Sequence, residues 1–453
     1  MQNAMDKDNR TDPKDTGIEN YDIGIDLGLQ PSNQEQELNR DFELPDQEFR
    51  CHLRKLNKEQ LEFVYDAIHI LKTSEEPIYW FLSGGAGVGK SYVTKALYQM
   101  AVKFYSKQAG EDFSSNKVML LAPTGKAAYH IHGNTIHSAL KVPVNQKLQY
   151  KQLSSAALNT LRNQIGEVNL IFIDEISMVG FNMLNFIHQR LMEVTQKNEL
   201  FGGISVIAVG DLFQLKPVMD SYLFSSPTNG YMPLATNIWK ENFTMFELHE
   251  IMRQSENKPF AELLNRLREG NHNKQDISVL KERNINTEDY PWDVPHLFCT
   301  NEKVDSFNSA IIHRKNDLVY VIRAQDKFIG SAPPGLKAKI LDSFGNNKQN
   351  SKQLLNSLEV AENTYYEITA NLDTTDGLIN GASCKMMKVE INQISEYASG
   401  ILWVQFEDQN IGKQHRRENK RLYKTCHLKE WTPLEPVSKS FAAGNKGEAQ
   451  IQR

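Results

Sequence analysis

Ile78-Tyr79-Trp80-Phe81-Leu82-Ser83-Gly84-Gly85-Ala86-Gly87-Val88-Gly89-Lys90-Ser91-Tyr92-Val93-Thr94-Lys95 decides how the rest of the chain is read. Aromatic and aliphatic residues over 78–83 predict a buried strand, the glycines break it, and Lys90 onward reads as a helix start. Strand, glycine loop and helix carry the G-x-x-x-x-G-K-S spacing of a phosphate-binding loop. Gly85, Ala86, Gly87, Val88 and Gly89 supply backbone N–H groups that can curl around one anion, and the helix N-terminus adds its partial positive charge. Lys90 is placed to reach β- and γ-phosphates and the Ser91 hydroxyl to ligate Mg²⁺. The bland alternative is an ordinary glycine turn.

Downstream, Val118–Ala122 predicts a second buried strand, running into Pro123-Thr124-Gly125-Lys126-Ala127-Ala128. Thr124, Gly125 and Lys126 suit backbone contacts to a phosphate chain and suit a plain strand-to-helix turn equally well. The run Asn169–Ile173 is an apolar strand ending in two carboxylates, Asp174 and Glu175. Behind a phosphate loop, the first is expected to hold Mg²⁺ and the second to orient and deprotonate an attacking water. A third strand, Ile204–Val209, leads to Gly210-Asp211-Leu212-Phe213-Gln214, where Gln214 is placed to sense a γ-phosphate. Arg253 reads either as a surface ion-pair residue or as a finger reaching a transferring phosphate. Upstream, Leu56–Thr73 is an amphipathic helix with Asn57 as N-cap and Gln60 at capping-box spacing. Gln60 is suited both to capping and to pairing with adenine N6 and N7, and the residues leave these even.

Composition is that of an ordinary globular protein, 40% hydrophobic and 24% charged. Four scattered cysteines form no CxxC pair, so neither a zinc site nor a disulfide framework is indicated, and a reduced intracellular compartment is expected. No membrane association is expected. The net charge of −5 conceals a split: residues 1–50 carry −8, leaving +3 for the rest. That acidic tail is expected to be disordered, since it cannot bury enough apolar surface to offset its ordering entropy. Residues 138–166 are polar and irregular, a small insert. Further on, Leu297–Thr300 looks like a strand end, Tyr365–Leu372, Val389–Ile394 and Leu402–Phe406 look like strands, and the last two alternate like those of a small barrel. Lys413, Arg416, Arg417, Lys420, Arg421 and Lys424 make a basic run, a solvated face or a seat for a nucleic-acid backbone.

The blocks GGAGVGKS, APTGKAA with TIHS, IDEISMV, FGG before GDLFQLKPV, EIMRQ and DGLINGA resemble, in order, the motifs of the PIF-type (petite integration frequency) DNA helicases, a 5′-to-3′ branch of superfamily 1. The resemblance runs from about Leu56 to the C-terminus. It implies an α/β fold of two RecA-like domains, parallel sheets flanked by helices, over 51–245 and 246–453, the second incomplete and carrying a small β-barrel insert at about 385–440. It further implies ATP and Mg²⁺ as cofactors and single-stranded, forked or structured DNA as partner of a monomer in the nucleus or mitochondrion. By position it favours adenine reading for Gln60, γ-phosphate sensing for Gln214 and a first arginine finger for Arg253. Thr124, Gly125, Lys126 and His137 fall in DNA-contacting blocks, and Asn380 in the block Gly377–Gly381 that couples DNA to the second domain. The chain stops where relatives carry a closing block resembling T-x-H-K-S-Q-G, so a truncated, uncoupled binder is the alternative expectation.

Overall fold

The computed structural model describes residues 44–105, 117–143, 150–225, 237–252, 257–285, 291, 294–315, 318–325, 327–329, 335, 357–369, 371–373, 376–393, 398–424, 428–438, 440–442 and 450–452. They fall into two units, one within 29–286 and one within 287–453.

The first unit comprises α1 (Asp46–Arg54), α2 (Lys58–Thr73), β1 (Tyr79–Gly84), α3 (Lys90–Tyr105), β2 (Val118–Ala122), α4 (Gly125–His130), β3 (Asn134–Thr135), α5 (Ile136–Ala139), α6 (Ser155–Ile165), β4 (Leu170–Ile173), α7 (Phe181–Thr195), β5 (Ser205–Gly210), α8 (Ile238–Asn242), β6 (Thr244–Leu248), α9 (Lys258–Arg268) and α10 (Lys274–Lys281). Its six strands form one sheet in the order β3-β2-β4-β5-β1-β6, and every pairing is parallel. A parallel sheet is covered on both faces, which is why its central strands read as unbroken apolar runs. Side chains alternate between two cores, as the pleat requires. Phe81, Leu121, Ile171, Ile173, Val206 and Ala208 face α6 and α7. Trp80, Leu82, Leu120, Leu170, Phe172, Ile207 and Val209 face α2 and α3. Each large apolar side chain buried here contributes about 1.5–3 kcal/mol.

Three expectations shift. Of the acidic tail expected to be disordered, residues 1–43 lie outside the described ones, whereas its last residues are helical: α1 begins at Asp46. Phe49 and His52 on that helix are buried, and the His52 ring stacks 3.5 Å from that of Tyr92 on α3. The boundary expected at 245/246 lies inside this unit, because β6 pairs with β1 and α9 belongs to the same unit. The insert at 138–166 contains an ordered helix, α6, which buries Leu161 and Ile165; its residues 144–149 lie outside the described ones.

The second unit holds α11 (Asn301–Lys315), β7 (Tyr320–Arg323), β8 (Lys327–Ile329), β9 (Ser357–Val360), β10 (Tyr365–Glu367), β11 (Ser383–Gln393), β12 (Ala398–Phe406), α12 (Lys413–Glu418), β13 (Thr432–Leu434), β14 (Ser440–Ala442) and β15 (Gln450–Gln452). Its described strands all pair antiparallel: β10-β11-β12-β13, β14-β15-β8 and β7-β9. The strands expected at 389–394 and 402–406 are the long hairpin β11–β12, with Trp403 fully buried. Where a barrel was expected, the described residues give a four-stranded sheet. Leu297–Thr300 is irregular, with Leu297 99% exposed, so that apolar run is no strand. Among the described residues no helix is long and apolar enough to cross a membrane.

Candidate active site

The sheet order sets the site. β5 lies between β1 and β4, so the residues after these three parallel strands emerge side by side at one edge: the glycine loop after β1, Asp211 and Gln214 after β5, Asp174 and Glu175 after β4.

The loop is tied down from above. Gln60 forms the capping box of α2: its backbone N–H donates to Asn57 Oδ1 (2.9 Å) and its Oε1 accepts from the Asn57 N–H (3.0 Å). Its Nε2 then donates to the Val88 carbonyl (2.9 Å). Gly89 passes beneath with φ at 87°, and a Cβ there would meet Gln60 Nε2 at 2.6 Å. Backbone strain and the close approach both demand glycine at that position. The structure therefore gives Gln60 the capping role; one N–H and one oxygen lone pair of the amide remain for any second task.

Lys90 opens α3 and folds back, its Nζ donating to the carbonyls of Gly84 (2.7 Å) and Gly85 (3.0 Å). Burial lowers its pKa, while Asp211, Glu175 and Asp174 pull it back up and Arg268 pushes it down. All four charged side chains therefore act on the lysine that the phosphate loop presents. Ser91 is exposed in the first helical turn.

Asp174 and Glu175 are half-buried, and both have raised pKa values. For each the main cause is desolvation; Glu175 is raised further by Asp174 and Asp211 and lowered by Lys90. Glu175 adopts the left-handed conformation, φ 50° and ψ 45°, which disfavours a residue with a Cβ by about 1–2 kcal/mol. The same left-handed φ occurs at other non-glycine residues such as His132 and Gln196, so the strain at Glu175 adds to the site only together with its place after β4.

Asp211, fully buried at its side chain, gathers four donors: Phe213 N (3.1 Å), Gln214 Nε2 (3.2 Å), Arg268 Nε (2.7 Å) and Arg268 Nη2 (2.9 Å). Gln214 is exposed beside it. Arg268, at the end of α9, also lies over the Phe213 ring at 4.8 Å and against the loop, its Nη1 3.6 Å from where a Cβ on Gly85 would stand. Sequence reasoning missed this pair. Arg268 sits 57 positions from Asp211, and only the fold brings them together. Arg253, the residue nominated as a finger, lies outside the described residues, as do 254–256. The donors near the loop are oxygen ligands, the Ser91 hydroxyl and the Asp174 carboxylate, which fit a hard cation such as Mg²⁺ completed by water and phosphate.

The residues nominated for DNA separate into three groups. Thr124 caps α4 by accepting from Ala127 N (3.2 Å), Gly125 is buried, and Lys126 is exposed. His137 is buried, its Nδ1 has no hydrogen-bond partner, and desolvation lowers its pKa to about 4. It packs inside the unit as a neutral ring, so its expected place on a DNA-facing surface is corrected. Asn380 is half-buried, its N–H donating to Asn371 Oδ1 (2.7 Å). In the same turn the Asp376 carboxylate accepts from the N–H groups of Gln414 and His415, both at 2.8 Å, capping α12 of the basic run. Within that run Arg416 is committed to the fold, donating to the Ile411 carbonyl (2.7 Å) and Thr432 Oγ1 (2.9 Å). Lys424 approaches Glu390 at 3.7 Å, whereas Lys413, Arg417, Lys420 and Arg421 are exposed.

Comparison with known proteins bears on the family and the fold. Residues 55–278 match the PIF1-like helicase family. The chain is 27% identical over 326 residues to the ATP-dependent DNA helicase PIF1 of Saccharomyces cerevisiae, covering 70% of this chain and 35% of that one. It is 30% identical over 260 residues to the Campylobacter jejuni Pif1, covering 54% of each. It thus spans from about a third to about a half of these relatives' lengths. The fold is that of Pif1 helicase structures from Candida albicans (TM-score 0.57, 21% identity, 88% of this chain and 82% of that one) and from Bacteroides in complex with ADP-AlF3 and ssDNA (TM-score 0.54, 21% identity, 88% and 80%). Residues 55–278 are thus a PIF1-like helicase domain.

Proposed function

We propose that this protein is an ATP-dependent DNA helicase that couples ATP hydrolysis to 5′-to-3′ movement on single-stranded DNA and to duplex unwinding. The observation that carries the reading is the gathering of Lys90, Asp174, Glu175, Asp211 and Gln214 at one edge of a single parallel sheet. In this reading Lys90 and the loop N–H groups hold the phosphates, and Ser91 and Asp174 hold Mg²⁺, which neutralises developing phosphate charge when bound. Glu175 takes the proton of the attacking water, Gln214 senses the γ-phosphate and Arg253 completes the site. Gln60 keeps its cap and uses its remaining donor and acceptor on adenine.

The second unit then serves as a second RecA-like domain with its small β insert. Lys126, the turn at Asn380 and the exposed bases of 413–421 track the strand. A related solved structure is described as the basis for DNA unwinding at forked dsDNA by two coordinating Pif1 helicases, which supports forked DNA as the substrate to try. The test is ATP turnover by the full chain with and without a single-stranded oligonucleotide, alongside strand separation on a fork with a 5′ tail. Stimulated turnover with unwinding is expected. Binding of both ligands without stimulation would replace the motor by an uncoupled binder.

A further inference from the structure

Arg268 and Asp211 form a buried, bidentate ion pair against the phosphate loop, and the roles assigned above use neither residue. The side chain of Asp211 is 0% exposed and that of Arg268 16%. Such a pair costs two desolvations, so as a mere strut it gains little over an apolar contact. Its placement is specific. The guanidinium lies against Gly85, the residue whose carbonyl also receives Lys90, and both Arg268 and Asp211 act on the Lys90 charge. The two Arg268 nitrogens that hold Asp211 form the planar fork that equally suits two phosphate oxygens. Asp211 keeps Phe213 N and Gln214 Nε2 as donors if Arg268 leaves, so the carboxylate is not stranded by the exchange.

We propose that Arg268 is a nucleotide-state sensor, exchanging its fork between Asp211 and the terminal phosphate of a bound nucleoside triphosphate. The same exchange releases the end of α9 from Asp211, while Gln214 stays on the carboxylate. A diphosphate, lacking the terminal group, leaves the ion pair intact. The inference rests on the nucleotide-binding reading above and adds to it a residue that tells ATP from ADP.

The test measures the affinities of the full chain for ADP and for the non-hydrolysable analogue AMP-PNP with Mg²⁺, by competition against a fluorescent ADP. Arg268→Lys keeps a cation beside Asp211 but loses the fork. It should weaken AMP-PNP by about 10-fold or more while leaving ADP within about 2-fold. Asp211→Asn removes the competing anion and should strengthen AMP-PNP relative to ADP. These opposite signs separate a sensor from a strut, since a strut loses both nucleotides alike in both variants. The double variant Asp211→Asn with Arg268→Gln leaves no unpaired buried charge, so it guards against misfolding. It should bind ADP normally and show the loss of triphosphate preference; a retained preference overturns the proposal. If the unmodified chain binds neither nucleotide, the nucleotide-site reading itself fails, and the sensor with it.

Discussion

Gln60 donates its side-chain amide to the Val88 carbonyl at 2.9 Å, so the capping box of α2 and the floor of the phosphate loop share one side chain. Helix entry and loop shape are therefore coupled. Gln60→Glu preserves the oxygen that accepts from Asn57 but sets a carboxylate against the Val88 carbonyl. It is expected to disturb the loop while sparing the cap. Gln60→Ala loses both of these side-chain contacts, while Asn57 Oδ1 still accepts from the N–H of residue 60, so the N-cap itself is kept. Nucleotide titration should show Gln60→Glu weakening ATP more than its small change in melting temperature would explain, and Gln60→Ala reducing the preference for ATP over GTP. Unchanged preference in Gln60→Ala would limit the residue to its capping role.

Glu175 combines a raised pKa with a left-handed backbone, two costs at one residue. Because its folded pKa lies above the ordinary 4.5, the native state binds more protons there than the unfolded chain. Stability contributed by this group is thus highest at low pH and falls as pH rises through that window, leaving a penalty at neutral pH. Glu175→Gln removes the charge, so it should raise the melting temperature while abolishing DNA-stimulated ATP turnover and sparing ATP binding. The acidic limb of the wild-type kcat profile should lie above pH 4.5. Retained turnover in Glu175→Gln would show that another group takes the proton.

Which parts of this site were legible in the sequence follows from where the signals reside. The strand β1, the loop and the acidic end of β4 are local: apolar runs, glycines and adjacent carboxylates declare themselves within a short window. The Asn57–Gln60 box is local too, and forms as its spacing indicates. The Asp211–Arg268 pair is not local, since 57 positions separate its members. The burial of His137 depends on how α5 is covered, which no short window records. Leu297–Thr300 shows the opposite error, an apolar run that pairs with no strand among the described residues.

His137 supplies a pH prediction of the opposite sign. Its pKa falls from 6.5 to about 4, so below pH 6.5 the unfolded chain takes up a proton that the native ring refuses. Stability from this residue is complete above 6.5 and is lost as pH falls towards 4, by about 3 kcal/mol at the lower end. His137→Leu also removes the unpartnered Nδ1. Urea unfolding near neutral pH and again near the lower end of that window should show the variant losing less stability than the wild type between the two. An identical loss would place the proton uptake elsewhere.

Arg190 is 1% exposed in the middle of α7, on the same helical face as the buried Met183, Ile187 and Val194. Its Nε donates to the Leu140 carbonyl (3.1 Å) and Nη2 to the Lys151 carbonyl (3.2 Å), and it pairs with Glu193. Glu193 in turn accepts from the Tyr150 hydroxyl (2.6 Å) and from Leu153 N (3.0 Å), so one ion pair pins the insert to α7. Arg190→Ala strands the Glu193 charge and is expected to cost about 3–5 kcal/mol in denaturant unfolding. Arg190→Met with Glu193→Gln should recover a good part of that loss.

The basic run divides by burial into residues that hold the fold and residues exposed to meet a phosphate backbone. Arg416 belongs to the first group through Ile411 and Thr432, and Asp376 steadies the same helix from the turn that carries Asn380. Arg416→Ala and Asp376→Ala should therefore lower stability, the latter by about 1 kcal/mol as a lost cap, with Asp376→Asn milder because an amide oxygen still accepts. Lys420 and Arg421 are exposed, so Lys420→Ala with Arg421→Ala should leave melting unchanged and act on DNA alone. If both neutralise phosphates, the salt dependence of single-strand binding, plotted as log affinity against log salt, should become shallower by about 1.4, about 0.7 for each phosphate no longer neutralised. The affinity loss should be largest at low salt and similar for all sequences, since a backbone contact carries no base information. An unchanged slope would make this run a solvated face and move the DNA path to the Lys126 side of the chain.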